Sequence, residues 1–283
     1  MADKNEIESL LYLLEDPDPE VQIGVQNRFM ELGENAVPLL DQFRSSAEDI
    51  SERDTINDII HSITFDTLYE DFSDLLDQGL SSRKSLEKAV LMLTRFGNPT
   101  LRTEEYRRKL DKFSEQAHSD VVYQLSGRKK MHTLLQFVFR DLRFSGDQKD
   151  YHNPDNAFLD KVIDRRKGLP ISLSLIVIFL SRRLDLPFYG VNMPIHFMLV
   201  YEGEKENILI DPFDGGTVVT YDQCHHFLKK NGVKPRPAHF ERAGEAEILH
   251  RVIRNLMHSY SKSGKVTRVK ELQELLHLAE LKG

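Results

Sequence analysis

Residues 151–216 read YHNPDNAFLDKVIDRRKGLPISLSLIVIFLSRRLDLPFYGVNMPIHFMLVYEGEKENILIDPFDGG, and the spacing of apolar residues changes within them. From Leu169 to Leu180 the run is apolar nearly all round, as in a helix buried on every side. It contains Ser172 and Ser174, ends at Arg182 and Arg183, and falls well short of the ~20 residues that span a bilayer. From Phe188 the period drops to two. FYGVNM, HFMLVY, NILIDPF and, just beyond, TVVTY predict four short strands separated by Gly, Pro or charged turns. Helices followed by a run of strands predict an α+β fold with a small antiparallel sheet.

Upstream, the polar loop FSGDQKDYHNPDN joins a helix expected over Lys129–Leu142 to one over Ala157–Arg166, and a charged helix is expected over Thr103–His118. From Asn5 to Phe96 apolar residues recur at three- and four-residue spacing, with a break at DPDP and a stop at Gly33. This spacing resembles a HEAT-type helical repeat, although an irregular helical subdomain explains it equally well. The chain closes with helices over Tyr221–Lys230, Glu245–Ser261 and Val266–Glu280. The last two, joined at Ser263-Gly264, resemble one tetratricopeptide unit or a plain packing hairpin. The expected organisation is a helical segment over 1–98, a core over 99–240 and a helical hairpin over 241–283.

The chain has 283 residues, 40% hydrophobic and 29% charged, with a net charge of -7. Such an acidic balance argues against an extended nucleic-acid footprint, which needs surplus Lys and Arg, while leaving room for a local basic patch. A lone cysteine, Cys224, excludes an internal disulfide and a multi-thiolate metal site, which fits a reducing compartment. MADKNEIESLL has neither a basic nor an apolar leader region, so a cytoplasmic protein without a membrane anchor is expected. His225 and His226 are adjacent, and consecutive helix positions diverge by about 100°, so they do not converge on one metal ion. DPFDGG lacks the oxygen-rich spacing of a calcium loop, and there is no phosphate-cradling fingerprint. No cofactor or metal is expected.

RRKGLPISLS, LPFYGVNMPIHFMLV and LIDPFDGG, with FVFRDLRFSGDQKDYHNPDNAFLD before them, follow in the order of the papain-like transglutaminase core and resemble the bacterial SirB-type family of transglutaminase-like proteins. The resemblance covers roughly residues 100–281. It implies a transglutaminase-like core, a tetratricopeptide-like end and a link to regulation without a defined biochemical activity. Superfamily members carry a nucleophilic cysteine at a helix N-terminus, then a strand His, then a strand Asp. The matching positions are Pro170, His196 and Asp211, so an imino acid occupies the thiol's slot. Ile195 stands where the family commonly has Gly.

A cysteine in that slot is activated by the unpaired N–H groups of the helix end, whereas proline has nothing to ionise. Ser172 lies about 200° round the helix from Pro170, and Ser174 lies about 6 Å deeper. Both are weak candidates for a replacement nucleophile, as is Cys224. His196 and Asp211 form either a hydrogen-bonded pair joining two strands, a ligand contact or a catalytic remnant. Tyr151, His152, Asn153, Asp155 and Asn156 line the same region, unless Asn153 merely caps a helix. Arg165 and Arg166 bind an anion near the cleft or only complement a helix dipole. The leading expectation is a non-catalytic protein acting through a protein partner. The alternatives are a hydrolase or amide-transfer enzyme using His196 and Asp211, and peptide or small-ligand binding in the old cleft.

Overall fold

Asp3 and Asp18 each accept a hydrogen bond from the backbone two residues on, at Asn5 (3.1 Å) and Glu20 (2.9 Å), and so begin the first two helices of the computed structural model. It describes residues 3–14, 16–80, 82 and 84–282. The chain divides into two compact units, 1–72 with 92–101 and 73–91 with 102–283. The first five helices are α1 (Lys4–Leu13), α2 (Pro19–Leu32), α3 (Val37–Ser46), α4 (Ile50–Asp77) and α5 (Ser85–Leu93). Pro19 sits in the first turn of α2, where its missing N–H costs nothing. Ile7, Phe29, Leu40 and Ile60 are fully buried and form the core of the first unit.

The second unit continues with α6 (Thr103–Val122) and α7 (Gly127–Gln136), and α7 passes into a π-turn over Phe137–Asp141. The expected helix 129–142 is thus interrupted at Phe137, where the Leu142 N–H reaches the carbonyl five residues back (2.8 Å). A two-residue parallel pair, β1 (Ser145–Gly146) and β2 (Lys167–Gly168), brackets α8 (Leu159–Arg165). Next comes α9 (Pro170–Arg183), buried at every position from Pro170 to Ser181. Its hydroxyls are compatible with that burial because each bonds to backbone carbonyls, Ser181 to Ile178 (2.8 Å) among them. At the far end of α9, Arg183 holds Glu87 (2.5 Å) and Asp111 (2.8 Å), and Arg182 holds Glu245.

The four strands β3 (Phe188–Val191), β4 (Met198–Glu202), β5 (Asn207–Asp211) and β6 (Thr217–Val219) form one antiparallel sheet in chain order. Its register pairs Val191 with Met198, Leu199 with Ile210 and Asp211 with Thr217. β4 begins later than its sequence pattern implies. Pro194 has no N–H to offer a ladder and Ile195 is left-handed (φ 72°), so His196 lies in the turn before the strand. After the sheet come α10 (Tyr221–Lys230), α11 (Glu245–Lys262) and α12 (Val266–Lys282). One sheet face packs Val191, Met198, Val200 and Leu209 against Cys224 and Leu228 of α10. The architecture is α+β, mostly helical with a small antiparallel sheet. Among the described residues no helix is long and apolar enough to cross a membrane.

Candidate functional site

Asp211 closes β5, and its Oδ1 accepts three hydrogen bonds: from His196 Nε2 (2.9 Å) and from the N–H groups of Phe213 (2.9 Å) and Asp214 (3.2 Å). Burial pushes this carboxyl upward. The His196 bond and charge, with the two backbone donors, outweigh burial and hold it below its ordinary value. An ionised carboxylate accepts only, so His196 Nε2 is the donor in this bond. Nδ1 makes no hydrogen bond among the described residues. The ring lies against Phe213 and Phe227, with centroids at 6.4 and 5.9 Å. His196 is thereby fixed in orientation by a carboxylate.

Among the described residues, Ser172, Ser174 and Cys224 make no hydrogen bond to His196. Pro170 occupies the first turn of α9 behind Leu169. Ser172, 1% exposed, accepts from the Leu169 N–H (2.8 Å) and donates to the Asn156 carbonyl (2.6 Å). Ser174 is fully buried and donates to the Pro170 carbonyl (2.9 Å). Cys224 is buried on the sheet, and burial followed by the charge of Asp211 pushes its thiol up, away from the thiolate. His225 and His226 sit beside it on α10, the first half-buried and the second exposed. Among the described residues no group of three or more His, Cys, Asp or Glu is placed to hold a metal.

The loop before α8 is clasped by Arg165. Its Nη2 binds Asp147 (3.2 Å), and its Nη1 binds Asn156 Oδ1 (3.3 Å) and approaches Asp155 (3.8 Å). Asp147 is buried, and its other oxygen accepts from the N–H groups of Lys149 and Asp150 (3.3 and 3.2 Å). Asn156, fully buried, donates to the Asp150 carbonyl (2.6 Å), while Asn153 caps the short turn at Pro154 through the Asp155 N–H (2.9 Å). Arg165 is therefore spent inside the loop. Arg166, left-handed (φ 60°) at the end of α8, lies over the rings of Phe113 and Phe144 at 4.6 and 4.7 Å. Burial lowers its pKa despite the nearby charge of Asp164.

Tyr151 joins the loop to His196. Its ring meets Phe213 (5.7 Å) and His152 (5.3 Å), and His152 in turn meets His258 on α11 (5.1 Å). Phe213 can come this close because Gly146 has no side chain: a Cβ there would lie 2.5 Å from the ring. Phe213, Asp147 and His258 are the residues the sequence did not single out. Only the alternation of DPF after a strand hinted at the first.

The family model described as the transglutaminase-like superfamily matches residues 104–254. The chain belongs to the transglutaminase-like superfamily. UPF0162 proteins are similar to this member: one from Pseudomonas aeruginosa is 30% identical over 197 residues, covering 69% of this chain and 72% of the relative. One from Xylella fastidiosa is 29% identical over 189 residues, 65% of this chain and 67% of its own length. F-box only protein 21 of Mus musculus is 29% identical over 148 residues, 49% of this chain but 23% of that protein. No solved structure matches.

Proposed function

We propose that this superfamily member is non-catalytic and acts in the bacterial cytoplasm by binding a protein partner, in a regulatory role. One observation carries the reading: His196 and Asp211 stay paired at 2.9 Å while Pro170, which has no ionisable group, occupies the first turn of α9, the slot that the family resemblance gives to a nucleophilic cysteine. The nearby hydroxyls are committed to backbone carbonyls, and the thiol is buried. The helical segments over 1–98 and 241–283, read as HEAT-like and tetratricopeptide-like, provide the kind of extended surface that repeat proteins use for partners.

Two measurements test it. Thiol- and serine-directed electrophiles, together with an amine-incorporation assay on the full chain, should give no signal that depends on His196. Labelling or turnover abolished by His196→Ala would establish an enzyme instead. For the partner, affinity capture is compared between wild type and Lys270→Glu/Glu274→Lys, which reverses charges on the exposed side of α12. Unchanged recovery would remove the C-terminal hairpin from the account.

A further inference from the structure

Arg251 lies half-buried on α11 with a single hydrogen bond, from Nη1 to Asn192 Oδ1 (3.3 Å), just after β3. Among the described residues no carboxylate forms an ion pair with it. The acids that precede it on α11 are occupied elsewhere. Glu247, one turn back, accepts the Gly244 N–H (2.8 Å), and Glu245 pairs with Arg182. What surrounds Arg251 electrically is the Tyr151 phenol and a second cation, Arg254. A half-buried guanidinium without an anion is costly, because desolvation weakens its charged form with nothing returned.

Arg251 also begins a row. Arg254, His258 and Lys262 follow at three- and four-residue spacing on the same face of α11, over about 16 Å of helix. These three are exposed, and Arg254 pairs with Glu280 (2.7 Å). His152 adds its ring beside His258. The stripe is a local basic feature on a chain of net charge -7. The aromatic row from His258 through His152, Tyr151 and Phe213 leads from it to His196.

From this geometry we infer that Arg251 is the anchor of a carboxylate-binding site, with Tyr151 and Asn192 beside it, and that an acidic peptide segment lies along the basic face of α11 toward His196. A planar fork of N–H donors matches a carboxylate bidentately. One unneutralised guanidinium, whose cationic neighbour Arg254 is already paired with Glu280, suits a monoanion better than a phosphate dianion. At roughly 3.3 Å per extended residue the stripe accommodates about five residues. The inference rests on the binding proposal in taking a protein segment as the ligand. Its test uses no native partner, so the two can fail separately.

The test is fluorescence anisotropy of fluorescein-labelled hexaglutamate with the full chain. Wild type is expected to bind it, and not hexaglutamine. Arg251→Gln should weaken binding at least about tenfold, as expected for loss of charge-assisted bonds. Arg251→Lys should recover only part of that loss, and Arg128→Gln, an exposed arginine near Glu206 (3.6 Å), should change nothing. A second readout is the titration of His258, which burial, His152 and Lys262 hold below its ordinary value. Bound hexaglutamate should raise it in wild type and less so in Arg251→Gln. Equal hexaglutamate affinity in Arg251→Gln and wild type overturns the assignment. So does displacement of the peptide by millimolar phosphate under conditions where acetate leaves it bound.

Discussion

Ile195 has a β-branched side chain at φ 72°, a conformation that favours glycine, and it is 49% exposed, so no deep packing compensates. The strain sits directly before His196 and sets the turn that presents the imidazole to Asp211. Ile195→Gly relieves a left-handed penalty of about 1–2 kcal/mol and adds about 0.5–1 kcal/mol of chain entropy loss. The net expectation is a gain of about 0.5–1 kcal/mol in urea unfolding. A loss would mean that the side chain makes contacts outweighing its backbone cost. For Asp211 the expectation is a pH signature. Its native pKa is depressed, so its stabilisation is complete above the unfolded value near 3.9 and is lost as pH falls through the lower native one. Asp211→Asn should cost about 1–3 kcal/mol near neutrality. That gap should close on acidification below about pH 4, and a gap constant with pH would show that the charge contributes nothing.

At the scale of elements, the four strands and α9 were legible because alternation and a continuous apolar run are local signals. His196 and Asp211 were legible through family resemblance, since nothing in their spacing alone brings a turn residue to a strand end. The Arg165 clasp on Asp147 was not, because it closes a loop across a helix, and no periodicity encodes that. Arg251 was hidden for a related reason: on α11 it reads as one polar position among several, and its isolation from carboxylates exists only in three dimensions. Nor does the sequence show how β1 supports the site. Gly146 pairs with Gly168 and leaves room for the Phe213 ring that separates His196 from Tyr151. Gly146→Ala would bring a methyl to 2.5 Å from that ring, so Phe213 must shift. The expected cost is about 1–3 kcal/mol by chemical denaturation, with altered His196 chemical shifts in the native state. Unperturbed His196 resonances would show that Phe213 does not hold the imidazole.

For the whole molecule, the division into two compact units implies two hydrophobic cores, because each unit must bury its own apolar surface. Ile7, Val25, Phe29, Leu40 and Ile60 cluster in the first unit, and Val191, Val200, Leu209 and Leu228 form a cluster in the second. Phe29 is 1% exposed, and its truncation to alanine leaves a cavity worth about 3–5 kcal/mol. If each core stabilises chiefly its own unit, Phe29→Ala should accelerate amide hydrogen exchange across α1 to α3 and leave the β3 to β6 ladder protected as in wild type. The His196 to Asp211 bond lies at that ladder's end, where β5 stops, so its imidazole resonances should also stay unchanged. Uniform loss of protection over both units would instead mean that they unfold as one cooperative body, and a lesion in the first helices would then reach the paired base and acid through global stability alone.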